Sequence, residues 1–165
     1  MEGKMANRFI MPVFWSLLGA FVLVFTSVNV MNPPIRTLLN DLYPDDIVAI
    51  AVSTFFQFSG LLFFALGLTL LILTARAKLD KIFKRFLLLA SSSAVGVFVS
   101  ILLHGVVYGL FILLFGEDFW DRTGIGDEPL FFIMAIFVCP VAYIVGTVGS
   151  IVLMTRRKRY GTAAV

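Results

Sequence analysis

The chain has one cysteine and one histidine among its 165 residues, and it is poor in charge. Because Cys139 stands alone, no internal disulfide and no cysteine-based metal site can form, which excludes a dithiol redox enzyme. The sequence also lacks a paired-carboxylate site, a metal-binding helix motif and a nucleotide-binding loop. It therefore predicts no catalytic residue, no metal and no cofactor, and an enzyme is the least favoured class of function.

Charged residues make up 14% of the chain, against about 25% in soluble domains. Hydrophobic residues make up 60%, and the mean hydropathy is +1.01. A soluble fold of this length could not bury so much apolar surface, so the sequence predicts that lipid surrounds most of it. Four apolar runs are long enough to cross a bilayer as helices, at residues 9–30, 47–74, 86–115 and 130–154. The predicted fold is an all-α bundle of four transmembrane helices, two antiparallel hairpins in one membrane domain, 1–165.

The segment after the first span predicts a short helix that lies on the membrane surface. Pro33 and Pro34 end the first helix. Apolar residues then recur at the i, i+3, i+4, i+7 positions of a helix, at Ile35, Leu38, Leu39 and Leu42. An amphipathic interfacial helix over 35–42 fits this pattern, and a loop whose leucines dip into the interface is the alternative.

The basic residues predict the orientation of the spans. One side holds the N-terminus, the loop 75–85 and the C-terminus, and it carries 11 of the 13 Lys and Arg residues. Only Arg36 and Arg122 fall on the other side. Basic residues near the ends of spans stay cytoplasmic, so both termini are predicted to be cytoplasmic in a multi-pass protein of the cell membrane. This basic face should attract anionic lipid headgroups.

Small and polar residues in the third and fourth spans predict where helices pack. The third span carries a row at four-residue spacing, formed by Ser92, Gly96, Ser100, His104 and Tyr108. The fourth span offers a matching row, formed by Ala142, Gly146 and Ser150. Gly105 and Gly109 form a GxxxG pair that could pack the fourth helix or join two copies of the chain.

His104 is the candidate for chemistry within the spans. Counted from the end of the third span at Phe115, it lies ~16 Å deep, and Gln57, counted from Ile47, lies ~15 Å deep. The favoured interpretation is a structural hydrogen bond between these two side chains, because each would be costly unpaired in hydrocarbon. The sharper alternative is an outward-facing polar pocket. Its predicted lining is His104, Gln57, Tyr108, Ser100 and Asn29.

The loop between the third and fourth spans is acidic and aromatic. Phe119 and Trp120 suit the aromatic belt at a membrane interface. Glu128 precedes Pro129, a pattern that predicts the start of the fourth helix, and Pro140 predicts a kink within it. The acidic residues lack the regular ligand spacing of a calcium-binding loop, so they are interpreted as solvated charges and helix caps.

Two functions follow from these patterns. The first is a non-enzymatic accessory or scaffold subunit of a membrane assembly, which acts through helix packing and its loops. The second is a small-molecule or lipid binder or transporter that uses the pocket around His104. The expected partners are the lipid bilayer and either a second copy or another membrane subunit, and no nucleic acid, because the basic run 156–159 is typical of a membrane anchor.

Overall fold

The computed structural model describes residues 2–30, 45–124 and 128–161, and within these ranges every regular element is a helix. The helices are α1 (Glu2–Val30), α2 (Asp45–Arg76), α3 (Lys81–Phe115), α4 (Phe119–Thr123), α5 (Pro129–Ile133) and α6 (Cys139–Gly161). A π-helical turn, Met134–Val138, joins α5 to α6. The predicted all-α class is confirmed for these ranges. The predicted surface helix at 35–42 lies outside the described residues.

Four helices in the described ranges are long and apolar enough to span a membrane. They are Arg8–Val30, Ile50–Arg76, Lys81–Phe115 and Pro129–Arg156, each within a few residues of a predicted span. Many of their large apolar side chains are exposed, including Phe58 at 75% and Leu113 at 82%. Side chains of this kind on a helix surface are expected where lipid replaces water.

The chain divides into two compact units, Met1–Ala77 and Lys78–Val165. In the first unit, α1 packs along α2, and the rings of Phe21 and Phe63 meet with centroids 6.0 Å apart. Buried residues on α1 recur at steps of four and three, at Ile10, Phe14 and Leu17. This spacing keeps them on one face of the helix, which is the face that packing removes from the surface.

In the second unit, α3 packs against α6 over a face made of small residues. A methyl group on Gly146 would lie 2.5 Å from the backbone nitrogen of Ala90, so the two backbones approach too closely for any side chain there. The ring of Phe86 lies directly over Gly149. Farther along, a methyl group on Gly96 would lie 3.0 Å from the Cys139 sulfur. Residue numbers rise on α3 as they fall on α6, so the two helices run antiparallel.

The helix irregularity expected at Pro140 takes the form of the π-helical turn. Proline has no backbone N–H, so it cannot bond to the carbonyl of Ile136 four residues earlier. Immediately before it, the N–H of Cys139 reaches back five residues to the carbonyl of Met134. The wider turn absorbs the missing hydrogen bond, and helical structure continues without a break from α5 into α6.

Candidate functional site

The polar centre of the second unit is a pair formed by His104 of α3 and Glu128, the residue before α5. His104 Nδ1 lies 3.4 Å from the Glu128 carboxylate oxygen Oε2 and 3.2 Å from the Glu128 backbone oxygen. The His104 side chain is 25% exposed, whereas that of Glu128 is only 7% exposed. The pair therefore joins two antiparallel helices through a carboxylate almost removed from solvent.

Glu128 is held in place because it caps α5. Its Oε1 accepts a hydrogen bond of 2.8 Å from the N–H of Leu130, and its Oε2 accepts one of 3.0 Å from the N–H of Phe131. A helix start leaves its first N–H groups without partners inside the helix, and a carboxylate there also meets the positive end of the helix dipole. Pro129 at the first helical position needs no such partner. The local backbone thus holds the carboxylate in place independently of its contact with His104.

The two contacts of the imidazole determine which of its nitrogens carries a proton. A carboxylate oxygen and a backbone carbonyl oxygen are both acceptors, so Nδ1 must be the donor in the contact with Glu128. Such an arrangement orients the ring and fixes its tautomer. In other proteins an imidazole held by a carboxylate serves as a general base or as a metal ligand. A single histidine supplies only one ligand, and a metal site needs several. Within the described ranges, no three His, Cys, Asp or Glu side chains come together as a metal site would require.

Aromatic rings flank the pair. The rings of His104 and Tyr108 lie 6.3 Å apart, and those of His104 and Phe132 lie 5.9 Å apart. Trp120 of α4 stacks on Tyr108 at 5.7 Å with the ring planes 7° apart, and its Nε1–H donates to the Tyr108 carbonyl oxygen at 3.3 Å. Trp120 is buried, so α4 is packed onto α3 and does not project from it.

The chain turns back sharply at the end of α3, which is why α4 can reach Tyr108. Gly116 takes a φ of 93°, in the left-handed region that favours glycine, and ends α3. Arg122 of α4 donates through Nη2 to the Phe115 carbonyl oxygen at 2.8 Å, which satisfies one of the free carbonyls at this helix end. We call residues 116–124 the returning segment. It covers one side of α3 between Tyr108 and Phe115.

Of the predicted pocket residues, the structure brings His104 and Tyr108 together. Ser100, one turn before His104, is buried. Asn29 belongs to the first unit, where its Nδ2 donates to the Phe25 carbonyl oxygen at 2.7 Å. Gln57 also belongs to the first unit and is exposed on α2. The predicted Gln57–His104 hydrogen bond stays a prediction.

The predicted packing residues fall on different faces. Gly146 is buried against Ala90, and Ser150 is buried with its hydroxyl donating to the Gly146 carbonyl oxygen at 2.8 Å; Ala142 is half-buried. Ser92 is exposed, while its neighbours Ser91 and Ser93 are buried. A row at four-residue spacing turns ~40° per step around a helix of 3.6 residues per turn. From Ser92 to Tyr108 it therefore winds ~160°, and its two ends face different surroundings.

Gly105 and Gly109 lie on an exposed surface of α3. No described atom outside their own helix lies within 4 Å of the position that a methyl group would take on either residue. They are therefore not used for close packing within the described part of the second unit, in contrast to Gly146 and Gly149.

The sequence pattern predicts Glu128 as part of a helix start, but the pairing of Glu128 with His104 was not predicted. The signal that could have found it was the helix cap itself. A glutamate before Pro129 has to lie at the first turn of α5, and a single histidine in an apolar span needs a nearby acceptor. A depth counted from Phe115 does not reveal this partner, because α3 extends past the start of the fourth span and the two spans do not begin at the same height.

Each unit also carries an apolar groove. The groove of the first unit has a volume of about 460 Å³ and lies between Leu23 of α1 and Phe55, Phe58 and Leu62 of α2. The groove of the second unit, about 470 Å³, lies beside the π-helical turn, between Leu89 and Val141. Neither groove is lined by His104.

No protein-family model, curated protein or solved structure matches this chain.

Proposed function

We propose that this chain is a non-enzymatic accessory or scaffold subunit of a membrane assembly, embedded in the cell membrane as a bundle of four spans. Four apolar helices whose side chains remain exposed support the membrane setting. Such side chains are satisfied by lipid or by another membrane protein, and both environments are available to a subunit of an assembly.

The proposed orientation has both termini in the cytoplasm. Supporting this is the antiparallel register of α3 with α6. Ala90 lies against Gly146, and nine residues from that contact in each direction lead to Lys81 on α3 and Thr155 on α6. Lys81, Lys84 and Arg85 thus share one end of the second unit with Arg156. Basic residues clustered at one end stay on the cytoplasmic side and would attract anionic lipid headgroups.

The observation that carries the scaffold function is how Glu128 is engaged. Its carboxylate accepts from two backbone N–H groups of α5 and contacts His104, so the one buried charged side chain among the described residues acts in helix capping and helix pairing. A binding or catalytic carboxylate would have to leave these partners to reach a substrate. A group tied in this way stabilises a rigid platform, which is what an accessory subunit provides.

A small-molecule or lipid binder or transporter is the second candidate. It is favoured by the His104 side chain, which is one-quarter exposed beside Tyr108 and Phe132. The apolar grooves would suit an acyl chain, because their linings are almost entirely hydrophobic.

The orientation is tested with single cysteines in a Cys139→Ser background. We expect Asp121→Cys to react with a membrane-impermeant maleimide on intact cells. Lys78→Cys and Thr155→Cys should react only after the cells are permeabilised. Reaction of Lys78→Cys and Asp121→Cys on the same side would overturn the proposed topology.

The scaffold function is tested by native mass spectrometry of the chain extracted from its own membrane in mild detergent. We expect a complex with a fixed ratio of this chain to a second membrane polypeptide or to further copies of itself. The result should persist in His104→Ala. A monomer that carries a bound small molecule, lost in His104→Ala and retained in Ser92→Ala, would overturn the scaffold function and support the binder.

A further inference from the structure

The depth of His104 below the outer surface of the membrane follows from contacts that only the folded structure shows. Glu128 contacts His104, so the fourth span begins level with residue 104 of α3, although α3 continues for eleven more residues to Phe115. At 1.5 Å per residue, α3 extends ~16 Å past the start of its neighbour. Only the returning segment accompanies α3 over this distance in the described part of the unit.

The charges of the returning segment set an upper limit on the outer boundary of the hydrocarbon layer. Asp121 and Arg122 are exposed and adjoin Trp120, which stacks on Tyr108. Exposed charges in hydrocarbon are costly, so the boundary cannot lie far above the level of Tyr108. Tyrosine and tryptophan also favour this boundary, which places it at the Tyr108–Trp120 stack.

The distance from the basic end of α3 also places the outer boundary of the hydrocarbon layer near Tyr108. Arg85 and Tyr108 are 23 residues apart, ~35 Å along the helix. With the usual tilt of about 20°, this distance covers ~32 Å of membrane thickness, close to the ~30 Å of the hydrocarbon core. His104 then lies ~6 Å below the outer boundary, not the ~16 Å that counting from Phe115 gives.

The end of α3 above Tyr108 must lie somewhere other than hydrocarbon, and its surface indicates where. Leu110, Leu113, Leu114 and Phe115 are exposed there, at 47%, 82%, 63% and 53%. Beside them stand the exposed charges Glu117 and Asp118. An apolar face next to charged groups fits the headgroup layer, into which such faces bury by about 5–10 Å, and the helix rises ~10 Å from Tyr108 to Phe115.

We propose that the end of α3 and the returning segment form an interfacial anchor, seated in the headgroup layer of the outer leaflet, and that the His104–Glu128 pair lies just beneath it inside the hydrocarbon. The partner of this surface is the lipid interface. This inference rests on the proposed membrane setting, and its test separates the two.

The test measures the depth of nitroxide labels by power-saturation electron paramagnetic resonance, with oxygen and a water-soluble nickel complex as relaxants, in bilayers of phosphatidylcholine and phosphatidylglycerol. Cysteines replace three exposed residues, one at a time, in the Cys139→Ser background: Val99, Leu113 and Leu130. We expect Val99 deep in the hydrocarbon and Leu130 inside its outer edge. Leu113 should lie in the headgroup layer, ~16 Å above Leu130 along the helix.

Each outcome has a separate meaning. Equal depths for Leu113 and Leu130 would overturn the offset between the spans, and with it the anchor. If the label at residue 113 is fully accessible to nickel while the label at residue 130 lies at the boundary, the end of α3 stands in water. That result would overturn the proposed contact with the lipid interface. A Val99 label open to nickel would instead refute the membrane setting itself. All three labels lie on exposed positions, so loss of folding does not confuse the comparison.

Discussion

Both halves of α3 carry small residues, but the two halves are stabilised differently. In the half near Lys81, the helix meets α6 through close backbone contact, with Ala90 against Gly146. In the half near Phe115, Gly105 and Gly109 are open, and the contacts are polar and aromatic instead: Glu128 to His104 and Trp120 to Tyr108. A small residue in a membrane helix therefore indicates close packing only where a partner backbone comes to it.

The largest effect is expected from removing the carboxylate in the polar half. Glu128→Ala leaves two α5 N–H groups without their acceptor in a buried place and removes the carboxylate contact of His104, which keeps only the backbone oxygen of residue 128; the free energy of unfolding should fall by about 3 kcal/mol. Glu128→Gln keeps one acceptor oxygen and should lose about 1 kcal/mol. Titration of the detergent-solubilised protein with sodium dodecyl sulfate measures both.

Glu117→Ala is the matched control, since Glu117 is an exposed acid in the returning segment. It should leave the unfolding midpoint unchanged. If Glu117→Ala and Glu128→Ala were equally harmful, the effect would belong to the net charge of this region, and the pair with His104 would have no special part in stability.

The close-packed half is tested by adding one methyl group. In Gly146→Ala the new Cβ would overlap the Ala90 backbone, and backbone cannot rotate away as a side chain can. We expect a loss of about 2 kcal/mol in the free energy of unfolding, from the same titration. Gly105→Ala is the control, because its methyl group enters open space and alanine favours a helix. A loss in Gly105→Ala as large as in Gly146→Ala would show that both halves of α3 are packed closely.

Much of the fold could be predicted from the sequence because lipid imposes a simple requirement. A span needs about 20 apolar residues, and the predicted run 86–115 differs from the helix Lys81–Phe115 only at its basic first turn. Relative heights could not be predicted in this way. The relative heights of the spans depend on the contact between Gly146 and Ala90 and on the turn at Gly116, and the amino-acid composition of the spans determines neither.

The packing face of α3 shows a second limit. Its buried residues Phe83, Leu87, Ala90 and Ala94 recur at steps of four, three and four, which follow the helix repeat. The predicted row starts at Ser92, which is two residues from both Ala90 and Ala94 and is exposed on the other side of the helix; its strict steps of four then wind ~160° around α3. Small residues do occur on the packing face of α3, but strict four-residue steps do not stay on one face of a helix over four turns.

The smallest effect is expected at the Trp120–Tyr108 stack, where one hydrogen bond can be removed while the ring is kept. Trp120→Phe retains an aromatic ring over Tyr108 and loses the Nε1–H donor to the Tyr108 carbonyl oxygen. That carbonyl belongs to the helix backbone, so losing one donor leaves it satisfied and should lower the free energy of unfolding by only about 0.5–1 kcal/mol. Trp15→Phe is the control, because Trp15 is 52% exposed on α1 and its replacement should leave the free energy of unfolding unchanged.

The two variants also separate the fluorescence of the chain's two tryptophans. A shift of the Trp120 emission to longer wavelength should accompany unfolding of the returning segment from α3. If Trp120→Phe cost as much as Glu128→Ala, the stack itself, and not the buried carboxylate, would be the main tie in the upper half of α3.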